Sequence, residues 1–512
     1  MTSASNNVLR QPAALLKLCF VEMWERLGFV TLMALAALYF ASPVATGGLG
    51  WSNADALLYV GYFAALLMTL PMLGGWVADN ILGIKRAILV GGAMMAAGYL
   101  ALGILPSVFL ITGLDGPTRA AIFEEAGLAF VRPEPQLAAW EHVSSAVAAR
   151  VGEERADSIV TSLRLAYTVQ SFVFVIAFIL VACGNALFKP SVSAAVGALY
   201  SPGDLRRDGG FTLFWTFINA GSLLAYVVGG WVGETFGWNF GFLVAFLGMA
   251  AGLTYYLYVQ RQLPEPPRTN RSFARVSRRE LTLQERGRMR AIVIMISFAV
   301  VFHVCHGQIY GLIGLFVLQD VDRNIAGLEI PALWVTSLNP LVILALAPPT
   351  ALLWDYLGRR GSNPSFASKF VMALVLLAIG QLVMLLAALD AQGPQRAALG
   401  WVVLAVIAMS VAEFPLQPIG LAMVTRLSPV NLVGLMIGAW LFGMAIAGAI
   451  GGNVGALAST YGLPPVFAGM AAACVAAAGG LMVLRRFLDR WMALSDTSAP
   501  QEIPATPQVR VG

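Results

Sequence analysis

The chain has 512 residues, of which 58% are hydrophobic and 12% charged, and its mean hydropathy is +0.77. Such a composition excludes a soluble domain and fits a chain that lives in a bilayer. The formal charge of +5 is spread over connections between apolar runs, so it reports membrane topology and excludes a nucleic-acid partner.

Twelve apolar runs are long enough to span, at roughly 14–41, 54–78, 86–112, 166–199, 210–232, 238–260, 291–318, 332–355, 366–389, 397–427, 431–458 and 464–487. The first contains Glu22, Glu25 and Arg26. Each such charge costs roughly 2.5–3.5 kcal/mol near mid-membrane, so the three cost on the order of 8–10 kcal/mol before pairing. A plain anchor has no use for that cost, and ionisable groups within a span mark ion or proton pathways. This run is also too long and too charged for a cleavable signal, so it is expected to stay in the membrane.

Two connections are long. Segment 113–165 is mildly acidic, follows the third run, and by parity lies outside. Within it Leu137, Trp140, Val143, Val147 and Val151 recur at helical spacing, which predicts an amphipathic external helix free to rest on the membrane or bind a partner. His142 lies away from that stripe and reads as a solvated histidine. Segment 261–290 carries nine arginines against three glutamates, which places it in the cytoplasm. The expected organisation is a six-helix bundle at 1–260 with an external insert at 113–165, a basic linker at 261–290, a second bundle at 291–490 and a cytoplasmic tail at 491–512.

The halves repeat a short turn. Residues 75–86 hold Asp79, Gly83, Lys85 and Arg86, and residues 354–360 hold Asp355, Gly358, Arg359 and Arg360. Gly83 and Gly358 permit a tight turn. The acid and the cations suit a breakable latch on the cytoplasmic face, although positive charge there is expected for topology alone. Cys19, Cys183, Cys305 and Cys474 have no paired spacing and read as free thiols. No phosphate-cradling glycine loop, nucleophile–base pair or metal cluster emerges, so neither an enzyme nor a cofactor is expected.

These turns resemble the signature loop of the major facilitator superfamily. Glu22-Met-Trp-Glu25-Arg26 resembles the E-x-x-E-R motif of its proton-dependent oligopeptide transporter branch, and Gly184-Asn-Ala-Leu-Phe-Lys189-Pro190 resembles that family's fourth-span block. Phe214-Trp-Thr-Phe-Ile-Asn219-Ala-Gly221-Ser222, Ser337-Leu-Asn339-Pro340 and Ala412-Glu413-Phe-Pro-Leu-Gln-Pro resemble its blocks on the fifth, eighth and tenth spans, in the right order. The resemblance runs from about residue 14 to 487 and identifies a divergent member. It implies an all-α integral membrane fold of twelve helices in two six-helix bundles, and proton-coupled import of di- or tripeptides by alternating access. It further implies a plasma-membrane protein, in bacteria the inner membrane, with both termini cytoplasmic. Its partners would be a peptide or other small substrate, protons and lipid, and the working unit a monomer driven by the proton gradient alone.

The chain departs from the family at its pocket. Leu27-Gly28-Phe29-Val30-Thr31-Leu32-Met33 stands where the family has two tyrosines and an arginine, and Met68 where it has another tyrosine. In the seventh span, His303 occupies a tryptophan position and Gly307 a carboxylate position. Loss of the cation at 33 together with the acid at 307 is what a rebuilt outer gate would leave. A different small organic solute and a non-transporting binding protein therefore remain alternatives.

The resemblance puts proton coupling on Glu22, Glu25, Arg26, Lys189 and Glu413, with a Lys189–Glu413 ion pair that would hold the cavity shut on one side. His303 and His306, one turn apart, share a helix face and suit proton or substrate handling, whereas two histidines alone do not make a metal site. Substrate contacts are expected from Phe29, Met68, Asn219, His303, Gln308, Tyr310, Asn339 and Trp440. For Asn219, Asn339, Gln308 and Tyr310, interhelical bonding is an equal use, and for Phe29 and Trp440 core packing is the favoured one.

Overall fold

Capping chemistry fixes where several helices begin. Ser52, Asp115 and Ser365 each accept a backbone N–H three residues on, and Thr282 with Glu285 forms a reciprocal capping box. The computed structural model describes residues 11–127, 137–201, 204, 206–263, 281–429 and 432–492. Most of the basic linker and all of the tail from 493 lie outside the described residues.

The described residues are almost wholly helical. In chain order the helices are α1 (Ala13–Ala41), α2 (Asn53–Leu82), α3 (Ile84–Thr112), α4 (Gly116–Glu125), α5 (Leu137–Val151), α6 (Glu153–Gly197) and α7 (Gly209–Phe236). They continue as α8 (Trp238–Gln262), α9 (Leu283–Asp320), α10 (Ala332–Arg359), α11 (Phe366–Asp390), α12 (Leu399–Leu427), α13 (Leu435–Tyr461) and α14 (Leu463–Met492). Eleven of these are long and apolar enough to cross a membrane. The twelfth expected span, α1, has the length at 29 residues but carries Lys17, Glu22, Glu25 and Arg26 and falls outside that set. Two-residue strand pairings, Val321–Asp322 with Ala397–Ala398 and Asn324–Ile325 with Leu328–Glu329, are the β-structure among the described residues.

Helices α1, α2, α3, α6, α7 and α8 pack as one bundle, and α9–α14 as the other. The two bundles meet along α2 with α13, α7 with α10, and α1 with the last turns of α9. One end of the molecule, the insert face, carries α4 and α5. The opposite end, the linker face, is where α8 ends and α9 begins.

Glycines thin these contacts. A Cβ at Gly221 would lie 2.3 Å from the Met23 carbonyl, one at Gly229 would lie 2.5 Å from Thr31, and one at Gly233 would lie 2.8 Å from Leu35, so α7 lies flush against α1. Across the bundles, a Cβ at Gly61 of α2 would stand 2.5 Å from Gly452 Cα of α13.

The insert differs from expectation. The amphipathic helix α5 exists, but Trp140, Val143 and Val147 of its stripe are buried within the protein. Val143 and Val147 are fully buried, and Trp140 packs edge-on to Tyr167 of α6 at 5.7 Å with Arg164 over its ring. The reason is that α6 begins at Glu153, well before residue 166. Its 45 residues extend roughly 68 Å against a hydrocarbon core of about 30 Å, so a projecting stalk covers the stripe. Arg150 forks onto Glu125 of α4 at 2.5 and 3.0 Å, and those bonds hold the Glu125 carboxyl below its ordinary range.

The repeated turns also sort differently. Gly83 takes φ +78 between α2 and α3, but Gly358 remains helical and Gly361, at φ +68, makes the second turn.

Candidate functional site

Helix α1 passes through the first bundle with Arg26 roughly 20 Å from either end, near the middle of the spanning region. Its charges turn inward. Glu22, Glu25 and Arg26 are 2%, 0% and 5% exposed, which leaves pairing as the only way to hold them there. Arg26 Nε donates to Glu25 Oε2 at 2.5 Å and Nη2 donates to Oε1 at 2.6 Å, a two-pronged bond, and Glu22 Oε1 lies 3.4 Å from Nε. Glu22 Oε2 is buried with no hydrogen-bond partner among the described residues.

Phe29, one turn on, carries two cations: Arg26 Cζ at 4.5 Å and Lys189 Nζ at 5.8 Å from its ring centre. Lys189 comes from α6, whose close approach to α2 is set by Gly74 against the Ala186 carbonyl. It lies within electrostatic range of Glu22 and Glu25, and no acid among the described residues forms an ion pair with it.

The second cluster belongs to the other bundle. Glu413 lies at the midpoint of α12. Its Oε1 accepts from Asn339 Nδ2 of α10 at 2.6 Å and stands 2.8 Å from His306 Nε2 of α9, an ion-pair distance without hydrogen-bond alignment. Asn339 Nδ2 also reaches Ser410 Oγ at 3.1 Å, and Tyr310 donates to Asn339 Oδ1 at 3.2 Å. At Gly307, α9 tightens into a 3-10 turn through Tyr310, which swings that side chain toward α10. Tyr310 then stacks on Tyr226 of α7 at 6.5 Å and 16°, an aromatic contact between the bundles beside Glu413.

The structure thus gathers Glu22, Glu25, Arg26, Phe29 and Lys189 in one bundle, and His306, Tyr310, Asn339 and Glu413 in the other. The expected Lys189–Glu413 pair is not formed: Glu413 is taken by His306 and Asn339. His303 lies outside that network, edge-on to Phe302 and Trp440, its Nε2 buried with no hydrogen-bond partner among the described residues. Trp440 is 4% exposed and wedged against Gly420 and Phe370. Gln308 bonds the Val304 and Gly451 carbonyls within its own bundle, and Asn219 bonds back to Trp215 of its own helix. Met68 is half-buried on α2.

At the linker face, Lys85 donates to the Leu263 carbonyl at 2.8 Å, Arg86 is exposed, and Asp79 sits in the π-helical end of α2. Asp355 pairs with Arg359 one turn along its own helix at 2.7 Å, and Arg360 covers Tyr356. The second turn therefore closes on itself instead of latching a neighbouring helix.

Ser410 and Tyr226 were not singled out from the sequence. Ser410 could have been, since it precedes Glu413 by one turn. Tyr226 carries no such signal, because its partner lies in the other bundle. A largely apolar cavity of about 590 Å³ lies between α9, α13 and α14, lined by Val300, Val304, Cys305, Leu457 and Met470, with Asn453 and Tyr461 among its few polar residues.

On the insert face the bundles are hydrogen-bonded together. Asn53 of α2 donates to Gln319 of α9 at 2.9 Å, and Trp334 Nε1 of α10 donates to the Val227 carbonyl of α7 at 3.0 Å. Arg323 stands 3.4 Å from Glu234.

Comparison with known proteins gives a consistent answer. The sequence profile described as the POT family matches residues 85–283 and 270–464. The peptide transporter YePEPT of Yersinia enterocolitica subsp. palearctica serotype O:3 is 28% identical, over 94% of this chain and 96% of the relative. Dipeptide and tripeptide permease B of Aliivibrio fischeri is 25% identical over 89% and 88%. Among solved structures, the peptide transporter POT in complex with sulfate superposes with a TM-score of 0.74 at 23% identity, covering 94% of this chain and 96% of the other. A POT family transporter in complex with 5-aminolevulinic acid gives 0.74 at 22% identity over 93% and 97%. These last two show the shared fold.

Proposed function

Because this chain belongs to the POT family of multi-pass membrane transporters, and so is no enzyme, we propose that it imports di- and tripeptides together with protons by alternating access. The relatives named as peptide transporter and as dipeptide and tripeptide permease support that substrate class. The observation that carries the mechanism is that opposite charges stand in opposite bundles without pairing to each other. Lys189 offers in the first bundle a cation with no ion-pair partner among the described residues, and Glu413 offers a carboxylate in the second. A zwitterion placed between them meets a cation with its carboxylate and an anion with its ammonium.

Proton coupling rests on Glu22, Glu25 and the His306–Glu413 contact. A carboxylate with one oxygen unpartnered and buried, as in Glu22, is held at a cost that a proton relieves. One charge crossing 100 mV supplies about 2.3 kcal/mol, enough for roughly fifty-fold accumulation per proton. No cofactor enters this scheme. We place the insert face outside, the linker face and both termini in the cytoplasm, and the protein, as a monomer, in a bacterial inner membrane. The bonded insert face then makes this the inward-facing state.

The test is uptake of labelled dipeptides into proteoliposomes under an imposed pH gradient, with an unlabelled peptide library as competitor. Gradient-dependent dipeptide uptake, abolished by a protonophore, is the expected result. Failure of every di- and tripeptide alongside proton-coupled uptake of another zwitterion would assign that solute instead, a reading favoured by Met68 and by the apolar stretch after Arg26. Normal uptake after Glu22→Gln and Lys189→Ala would overturn the mechanism.

A further inference from the structure

Near the insert-face end of α7, Glu234 reaches across to the other bundle. Its Oε2 accepts from the backbone N–H of Ala332 at 2.8 Å and its Oε1 from that of Leu333 at 3.0 Å, at the start of α10. Arg323 Nη1 lies 3.4 Å from Oε2, and the same guanidinium donates to the Ile330 carbonyl at 2.7 Å and to Glu329 Oε1 at 2.6 Å. Both the Glu234 and Arg323 side chains are 10% exposed.

The approach is built into α7. A π-helical turn over Ala225–Gly229 re-aims the last two turns of the helix, and Gly230 lets Leu333 come within contact: a Cβ there would lie 2.7 Å from Leu333 Cβ. One carboxylate thus gathers two backbone donors and a cation in a nearly dry site. Such charge-assisted bonds are roughly twice as strong as neutral ones. Removing the acceptor leaves two amides and a guanidinium short of a partner.

The bonds that Glu234 makes exist only while the bundles touch on this face. We propose that Glu234 is the residue that holds the outer gate shut, a positioning residue whose carboxylate clamps segment 321–333 of the second bundle onto the first and sets how often the carrier opens outward. The proposal rests on the alternating-access reading above.

The test pairs hydrogen–deuterium exchange of the full-length protein in detergent or nanodiscs with uptake kinetics of Glu234→Gln, Glu234→Ala and Arg323→Gln. Peptides covering 321–336 are expected to exchange faster in all three. The external KM should fall by about threefold or more as the outward-open fraction grows, while kcat falls because closure is slower. The Glu234→Gln/Arg323→Gln double variant should do little more than the stronger single one. A variant that merely weakened the fold would lower the melting temperature without lowering KM. Wild-type exchange at 321–336, or faster exchange with unchanged external KM, would overturn the proposal. Should Glu234→Ala fail to assemble, the two glutamine variants carry the test. The exchange measurement needs no substrate, so it judges the clamp even if peptide uptake itself fails.

Discussion

Glu413 Oε1 is shared between His306 Nε2 at 2.8 Å and Asn339 Nδ2 at 2.6 Å, so one oxygen ties α9, α10 and α12 at the centre of the second bundle. Truncating one partner of a buried charged contact costs about 2–5 kcal/mol, chiefly because the other partner is left unpaired. Glu413→Gln is therefore expected to cut kcat/KM for uptake at least roughly thirtyfold. Glu413→Asp, one methylene shorter, cannot reach both partners and should recover only part of it. Concentration-dependent uptake in proteoliposomes checks both.

Arg26 is gripped by geometry as well as charge. Its fork meets both oxygens of Glu25 at 2.5 and 2.6 Å while its face lies over Phe29. A lysine keeps the charge and loses the fork and the stacking plane. Arg26→Lys is expected to lower uptake by about tenfold or more, because roughly 1.4 kcal/mol per decade is easily lost with one of two charge-assisted bonds. Wild-type uptake in Arg26→Lys, at equal expression and melting temperature, would show that charge alone suffices.

Much of this was legible in the chain. Glu22, Glu25 and Arg26 stand out because a charge inside an apolar run needs a partner, and all three lie within one turn of each other. Lys189, Asn339 and Glu413 were legible as polar residues in apolar runs. Their partners were not, because the pairing of Glu413 with His306 instead of Lys189 depends on how two bundles sit, which no local pattern records. The burial of the α5 stripe was missed for a similar reason. Trp140, Val143 and Val147 show that a face is apolar, but only the unforeseen start of α6 at Glu153 says what covers it. No local pattern marks Glu234, because its partners, the amides of Ala332 and Leu333, come from α10.

Gly61 and Gly452 bring α2 and α13 into backbone contact across the bundles, with a Cβ at Gly61 meeting Gly452 Cα at 2.5 Å and the Gly448 carbonyl at 2.7 Å. Both obstacles are main chain and cannot rotate away. Gly61→Val should therefore hold the insert face apart while each bundle folds normally. The neighbouring Asn53–Gln319 bond reports the gap: an Asn53→Cys/Gln319→Cys pair should cross-link readily in the parent and poorly with Gly61→Val added. Equal cross-linking in both would mean the helices re-space without cost.

Trp140 anchors the insert, edge-on to Tyr167 at 5.7 Å with Arg164 against its face, far from either charged cluster. Truncating a buried tryptophan costs about 3–5 kcal/mol, and here that loss falls on the seam between α5 and the stalk of α6. Trp140→Ala should release α5, seen as faster amide exchange and new proteolytic nicking in 137–151. Uptake kinetics should stay within about twofold of the parent, since the spanning part of α6 that carries Lys189 is packed independently against α2 and α3. A large fall in kcat with α5 released would instead tie the insert to the transport cycle through α6, the one helix shared by the stalk and the site.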